Sequence, residues 1–121
     1  MKEVLKIHVH EATGLPGGNL PDPPDPYVKL YLLPERSKSS KRRSDFKKDT
    51  VEPIYDEKFE YKDMNSSRIN SQQLEVSVVD RKGIFSKCST MGRCVVDLVN
   101  LTNSDVEEQW FILEEVEQDS D

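Results

Sequence analysis

Apolar and polar side chains alternate along three stretches of the chain, at residues 5–10, 27–32 and 74–78. This period of two is typical of β-strands that place one face against a core. Four further stretches carry a less regular form of the pattern and are also predicted to be strands: 42–46, 58–61, 92–98 and 109–113. Seven short strands without long helices predict an all-β fold, an antiparallel β-sandwich.

Proline and glycine interrupt the chain between these stretches, at residues 16–18, 21–26, 34, 53 and 83. Only residues 99–106 have the pattern of a short helical turn. A length of 121 residues with 35% hydrophobic content fits one small domain. We place that domain at residues 1–113 and expect the acidic tail at 114–121 to be disordered.

Charge is distributed unevenly along the sequence. Residues 35–48 carry a net charge of +5, whereas the whole chain carries −6, so the remainder sums to −11. An acidic body with one basic strip favours oriented docking on an anionic surface, and nucleic acid is not an expected partner. No apolar run approaches the roughly 20 residues of a transmembrane helix, so a cytoplasmic, peripherally associated protein is expected.

Candidate catalytic groups are few. His8 and His10 share one face of a predicted strand without a neighbouring nucleophile motif, and we interpret them as surface side chains. Cys88 and Cys94 are too few for a disulfide scaffold and are expected to be free thiols. The sequence therefore predicts that the chain is not an enzyme.

Two motifs identify a family resemblance. Residues 25–34 read D-P-Y-V-K-L-Y-L-L-P, and residues 50–60 read T-V-E-P-I-Y-D-E-K-F-E. Both resemble a C2 domain of the protein kinase C and synaptotagmin type. Their sequences are most similar to those of extended synaptotagmins and synaptotagmin-like proteins. The W-x-x-L of residues 110–113 resembles the last strand of that family.

The resemblance implies an eight-stranded type of sandwich, for which this chain has one edge strand too few. The strand could be absent because the chain was cut from a longer protein, or because an open edge is covered by another chain. A short strand that the pattern does not reveal is the third explanation.

The resemblance also implies a calcium site built from aspartates of two loops, because Ca²⁺ takes six to eight oxygen ligands. Asp22, Asp25 and Asp80 are the candidate ligands, but Asn19 and Lys82 stand where the family has further aspartates. Lys82 brings a positive charge that replaces part of the effect of an ion. We therefore expect no required cofactor and little or no dependence on calcium.

A basic face is the other site that the resemblance implies, and it would bind anionic phospholipids or phosphoinositides through charge-assisted hydrogen bonds. Asp45 stands where a second lysine is frequent, which argues against high phosphoinositide selectivity. Leu20, Ile84 and Phe85 are candidates for membrane insertion at loop tips. The candidate lipid-binding residues are Tyr27, Lys29, Lys41, Arg42, Arg43, Lys47 and Lys48.

The expected function is thus that of a non-catalytic module that docks on anionic membranes. The alternative is a protein-interaction module that pairs with a partner, or with a second copy, through an open sheet edge. A third interpretation treats the basic strip as a solvated loop without a ligand.

Overall fold

The computed structural model describes residues 3–82, 89–103 and 108–116. Within these residues neither α-helix has the length or the apolar character that crossing a membrane requires. The elements in chain order are β1 Val4–Glu11, β2 Pro26–Leu33, a 3-10 turn Lys38–Ser40, β3 Arg42–Arg43, β4 Ile54–Lys62, α1 Ser66–Ser71, β5 Gln73–Asp80, β6 Ser89–Asp97 and α2 Leu98–Thr102.

The strands form two antiparallel sheets. One sheet has the order β3-β2-β5-β6, and the other contains β1 and β4. The described residues supply no strand for the other edge of β1. The two sheets pack into the β-sandwich that the alternating pattern predicts.

The core lies between the sheets because each strand turns its apolar positions to the same side. Val28, Leu30 and Leu32 of β2 are almost fully buried, and Leu30 is 0% exposed. Leu5, Ile7 and Val9 of β1 pack against the same cluster from the other sheet. Tyr55 and Tyr61 of β4 complete it, and each hydroxyl donates to a backbone carbonyl across the core, that of Pro26 at 2.8 Å and of Ser40 at 2.7 Å.

Several strand boundaries differ from those predicted. The predicted strand 42–46 is a strand only at Arg42–Arg43, whereas 58–61 extends to Ile54–Lys62 and 92–98 becomes Ser89–Asp97. The helical turn predicted at 99–106 is Leu98–Thr102 within the described residues. The helix Ser66–Ser71 was not predicted. Cys94 is a free thiol, as predicted, whereas Cys88 lies outside the described residues.

The stretch 109–113 is not a strand, in contrast to the prediction. Only Glu114 forms a bridge in the described part of this segment, and its N–H and carbonyl each pair with Arg93 of β6, at 2.9 and 3.0 Å. Leu113 packs over Gly92, where an added Cβ would come within 2.8 Å of the Leu113 Cβ. The absent side chain at Gly92 therefore allows this segment to approach β6 closely.

Ser44 illustrates how the sandwich satisfies buried backbone groups. Its hydroxyl accepts a hydrogen bond from the Val28 N–H at 2.8 Å and donates to the Asp45 carbonyl at 3.0 Å. Replacing Ser44 by alanine leaves the buried Val28 N–H without this partner, so we expect a loss of about 1–3 kcal/mol in the free energy of unfolding. Urea denaturation measures this loss of stability. A loss no larger than that of the exposed Ser39→Ala control would contradict the role of the Ser44 hydroxyl as the partner of the Val28 N–H.

Candidate functional site

Three cations lie in one line across the outer face of the four-stranded sheet. Arg43 of β3 pairs in register with Lys29 of β2, Lys29 pairs with Ser77 of β5, and Ser77 pairs with Arg93 of β6. Side chains that oppose one another in a sheet point to the same face. With strands about 4.8 Å apart, the line is about 14 Å long. We call Arg43, Lys29 and Arg93 the cationic row.

Contacts hold both ends of the cationic row in place. The Arg43 guanidinium lies 4.2 Å from the centroid of the buried Tyr27 ring. The Arg93 Nε donates to the Ser77 hydroxyl at 3.3 Å. Tyr27, which was predicted to bind lipid directly, is only 7% exposed, so its ring serves in the structure as a support for Arg43.

Lys29 sits in a positive electrostatic environment. Its partial burial and the charges of Arg36 and Lys41 lower the pKa of the Lys29 ammonium, and Arg93 acts in the same direction. Glu75 opposes this effect, but its carboxylate also forms an ion pair with the Arg36 Nε at 3.2 Å. An incoming anion would favour the charged form of Lys29, so the position is suited to a phosphate.

Arg42 has a structural role in addition to its charge. Its guanidinium donates two hydrogen bonds to the Glu60 carbonyl of β4, at 3.2 and 3.0 Å. Two more reach the carbonyls of Ser39 at 2.9 Å and Lys41 at 3.0 Å. These four bonds use most of the donors of the side chain, which leaves Arg42 less available to a ligand than Arg43.

The remaining predicted basic residues lie directly before β3 and after it. Lys41 is exposed beside β3 and acts electrostatically on Lys29. Lys47 and Lys48 follow β3 on the segment that leads to Asp49, with Lys48 exposed and Lys47 partly buried.

A second site lies where the segments before β2, before β4 and after β5 meet, and there an ammonium group stands among carboxylates. The Lys82 Nζ contacts Asp22 Oδ1 at 2.6 Å, Asp25 Oδ1 at 3.3 Å and the Asp49 carboxylate. It also donates to the Pro23 carbonyl at 2.7 Å. We call this arrangement the lysine cluster. Its four oxygen partners are the kind of group that would otherwise ligate a hard cation.

The lysine cluster holds charged groups in their ionised forms. Bonds to the three aspartates raise the pKa of Lys82, with Asp22 and Asp49 contributing most. Burial of Asp25 disfavours its charge, yet the Asp49 N–H and the Lys82 ammonium outweigh that effect and hold the pKa of this carboxyl below its ordinary value. The Lys82 ammonium and the Asp25 carboxylate therefore stay ionised at neutral pH, and the ammonium neutralises part of the charge of the three aspartates.

The Asp80 side chain bonds to the backbone of the loops, and no described bond joins it to the Lys82 ammonium. Its Oδ1 accepts from the backbone N–H of Asp25 at 3.0 Å and of Lys82 at 2.9 Å. Of the three predicted metal ligands, two contact Lys82, and the third orients the backbone beneath it. Leu20 is 56% exposed, whereas Ile84 and Phe85 lie outside the described residues.

Two residues of these sites were not predicted. Arg93 joins the cationic row only through strand register, although its place in a predicted strand was a signal. Asp49 reaches Lys82 because it adopts a left-handed backbone, with φ of 53°, after the basic segment. An aspartate beside a turn was the available signal.

The fold is a β-sandwich with a row of cations on one sheet face and a cluster of charged side chains between its loops. Residues 3–113 match the family model of the C2 domain, and the chain belongs to that family.

The relatives that match this chain are much larger proteins, and the chain spans only a small part of each. Human extended synaptotagmin-1 is 34% identical over 76% of this chain, which spans 8% of that protein. Human regulating synaptic membrane exocytosis protein 1 is 32% identical over 96% of this chain, which spans 7% of it. A crystal structure of a RIM C2 domain from Drosophila has a TM-score of 0.79 at 29% identity, covering 92% of this chain and 86% of that one.

Proposed function

We propose that this chain is a non-catalytic docking module that binds anionic phospholipid surfaces through the cationic row. The observation that carries the proposal is the strand register that aligns Arg43, Lys29 and Arg93 across the four-stranded sheet. Three cations on a rigid sheet can contact several phosphates at once without ordering a flexible segment first. The relatives named above, which include a regulator of synaptic membrane exocytosis, support a membrane role.

The energetics allow useful affinity only when several groups act together. Each basic residue near an anionic leaflet contributes about 1 kcal/mol, so the cationic row supplies about 3 kcal/mol. Lys41, Lys47 and Lys48 bring the sum to about 6 kcal/mol, a Kd on the order of 10⁻⁴ M. Inserting Leu20 adds about 1.5–3 kcal/mol, which brings the Kd to the order of 10⁻⁶ M.

Calcium is not needed for this mode of binding. The Lys82 ammonium occupies the space between the Asp22, Asp25 and Asp49 carboxylates and neutralises part of their charge. An entering Ca²⁺ would have to displace a bonded ammonium and would then repel it. We therefore propose that docking is the same with and without calcium.

Co-sedimentation with vesicles tests the proposal directly. We expect the protein to bind vesicles that contain phosphatidylserine and phosphatidylinositol 4,5-bisphosphate equally in calcium and in chelator, and to dissociate as salt is raised. Neutral phosphatidylcholine vesicles are the control and should not bind. Binding that appears only with calcium would overturn the role of the lysine cluster, and no binding in either condition would overturn lipid docking.

The second candidate function is protein association through β1. One edge of this strand has no partner strand among the described residues, and such an edge is a template for strand addition. Trp110 and Ile112, which are 71% and 88% exposed, offer apolar surface to a partner. Absence of vesicle binding would favour this function.

A further inference from the structure

A group of possible metal ligands lies on the outer face of the other sheet, away from both sites described above. His8 and His10 alternate along β1 with Ile7 and Val9, which pack against the core, so the two imidazoles point outward. Their ring centroids are 4.0 Å apart. The Asp56 carboxylate of β4 contacts the His8 Nε2. One ligand atom from each of these three residues lies within 4.8 Å of the others.

Strand register places Asp56 beside the histidines, next to a β-bulge. Val9 pairs with Glu57 and Glu11 with Ile54, so His10 alone faces two residues of β4, of which Asp56 is one. Asp56 has a left-handed backbone, with φ of 50°, a region that aspartate adopts more readily than most residues other than glycine. Asp56 is exposed in the same alternation as Lys58, which pairs with His8, so the Asp56 side chain lies on the outer face of the sheet.

A fourth candidate ligand comes from a separate part of the chain. The Glu108 Oε1 lies 3.4 Å from the His10 Nε2. In a tetrahedral zinc site with bonds of about 2.0–2.1 Å, neighbouring ligand atoms are about 3.4 Å apart. The Glu108 carboxylate already stands at that spacing from one imidazole.

Access and charge at this group suit an ion from solution. The side chains of His8, His10 and Asp56 are 32%, 42% and 74% exposed, so an ion can reach them with small side-chain rotations. Two imidazoles favour a borderline transition metal over Ca²⁺ or Mg²⁺, which prefer oxygen ligands. Two carboxylates would balance the charge of a divalent ion.

We propose that His8, His10 and Asp56, with Glu108 as a fourth ligand, form a Zn²⁺ site that clamps β1 to β4 and to the segment at residue 108. The site is independent of the proposed lipid interface, since it lies on the opposite sheet.

Calorimetric titration of the full chain with ZnCl₂, after removal of metal by chelator, tests this site. We expect binding that saturates at one zinc per chain, together with shifts of the His8 and His10 imidazole resonances in NMR spectra. The double variant His8→Gln/His10→Gln should bind at least about tenfold more weakly, because even the loss of an outer-shell partner costs about 10–100-fold.

Matched carboxylate variants separate this site from general attraction to acidic groups. Asp56→Asn should weaken zinc binding, whereas Asp63→Asn should not, although Asp63 is exposed and has a similar left-handed backbone, with φ of 59°. Circular dichroism confirms that each variant is folded. Unchanged affinity in the double histidine variant, as binding at Cys94 would give, or no binding by the unaltered chain, would overturn the proposal.

Discussion

Replacing Lys82 by alanine is expected to make the melting temperature of the chain depend on calcium. Without the ammonium, the carboxylates of Asp22, Asp25 and Asp49 converge with no cation between them, and their repulsion should lower the melting temperature in chelator. Calcium should reverse this loss, because the same oxygens and the Pro23 carbonyl can coordinate it. With only three carboxylates, we expect a Kd on the order of 10⁻⁴–10⁻³ M.

Thermal denaturation with and without calcium measures this effect. The unaltered chain should melt at the same temperature in both conditions, since Lys82 fills the position. Lys48→Ala is the matched control because it removes one lysine charge from an exposed site on the segment that precedes Asp49. If Lys82→Ala melts identically in calcium and chelator, the lysine cluster does not stand in for an ion.

Neutralising the cationic row should remove most of the vesicle affinity. The triple variant Lys29→Gln/Arg43→Gln/Arg93→Gln loses about 3 kcal/mol of attraction to an anionic leaflet, which corresponds to binding weakened by more than about 100-fold. Its effect should be largest at low ionic strength, where screening is weakest.

A control with the same change in net charge isolates the contribution of position. Lys6, Lys58 and Lys62 are exposed on the other sheet, so their triple replacement by glutamine removes three charges away from the cationic row. We expect this variant to bind vesicles nearly as well as the unaltered chain. Equal losses in the two triple variants would mean that net charge, and not the sheet face, determines docking.

The sandwich was predictable where packing alone decides the structure. The alternation at residues 5–10, 27–32 and 74–78 marks β1, β2 and β5, because each has one face against the core. The pattern was misleading at β4, where Glu57 stands at a partly buried position between Tyr55 and Phe59, so the apolar alternation begins later than the strand. Residues 109–113 resemble a strand of the family, but in this structure the pairing starts only at Glu114.

Helix α1 was missed because it has little apolar periodicity, with Ile69 as its one residue packed against the core. A cap signal was nevertheless present. The Asn65 side chain accepts from the Arg68 N–H at 3.0 Å, as an N-cap residue does.

The candidate sites were predictable residue by residue but not as arrangements. Asp22, Asp25 and Lys82 were identified from the family motif, and the structure brings them into contact. The lipid-binding assignments of Lys29 and Arg43 stay predictions until binding is measured. Contacts of Asp49 and Arg93 depend on a left-handed turn and on strand register, neither of which is encoded by local pattern.

The smaller sheet has one outer edge on β1 and another on β4, and Arg42 donates hydrogen bonds to β4. Two of them end on the Glu60 carbonyl of β4, so that backbone acceptor is already engaged, while β1 has no second partner strand among the described residues. Two copies joined β1 to β1 would have no second β1 edge left for a third copy. Self-association through the β1 edge alone would therefore stop at a closed pair.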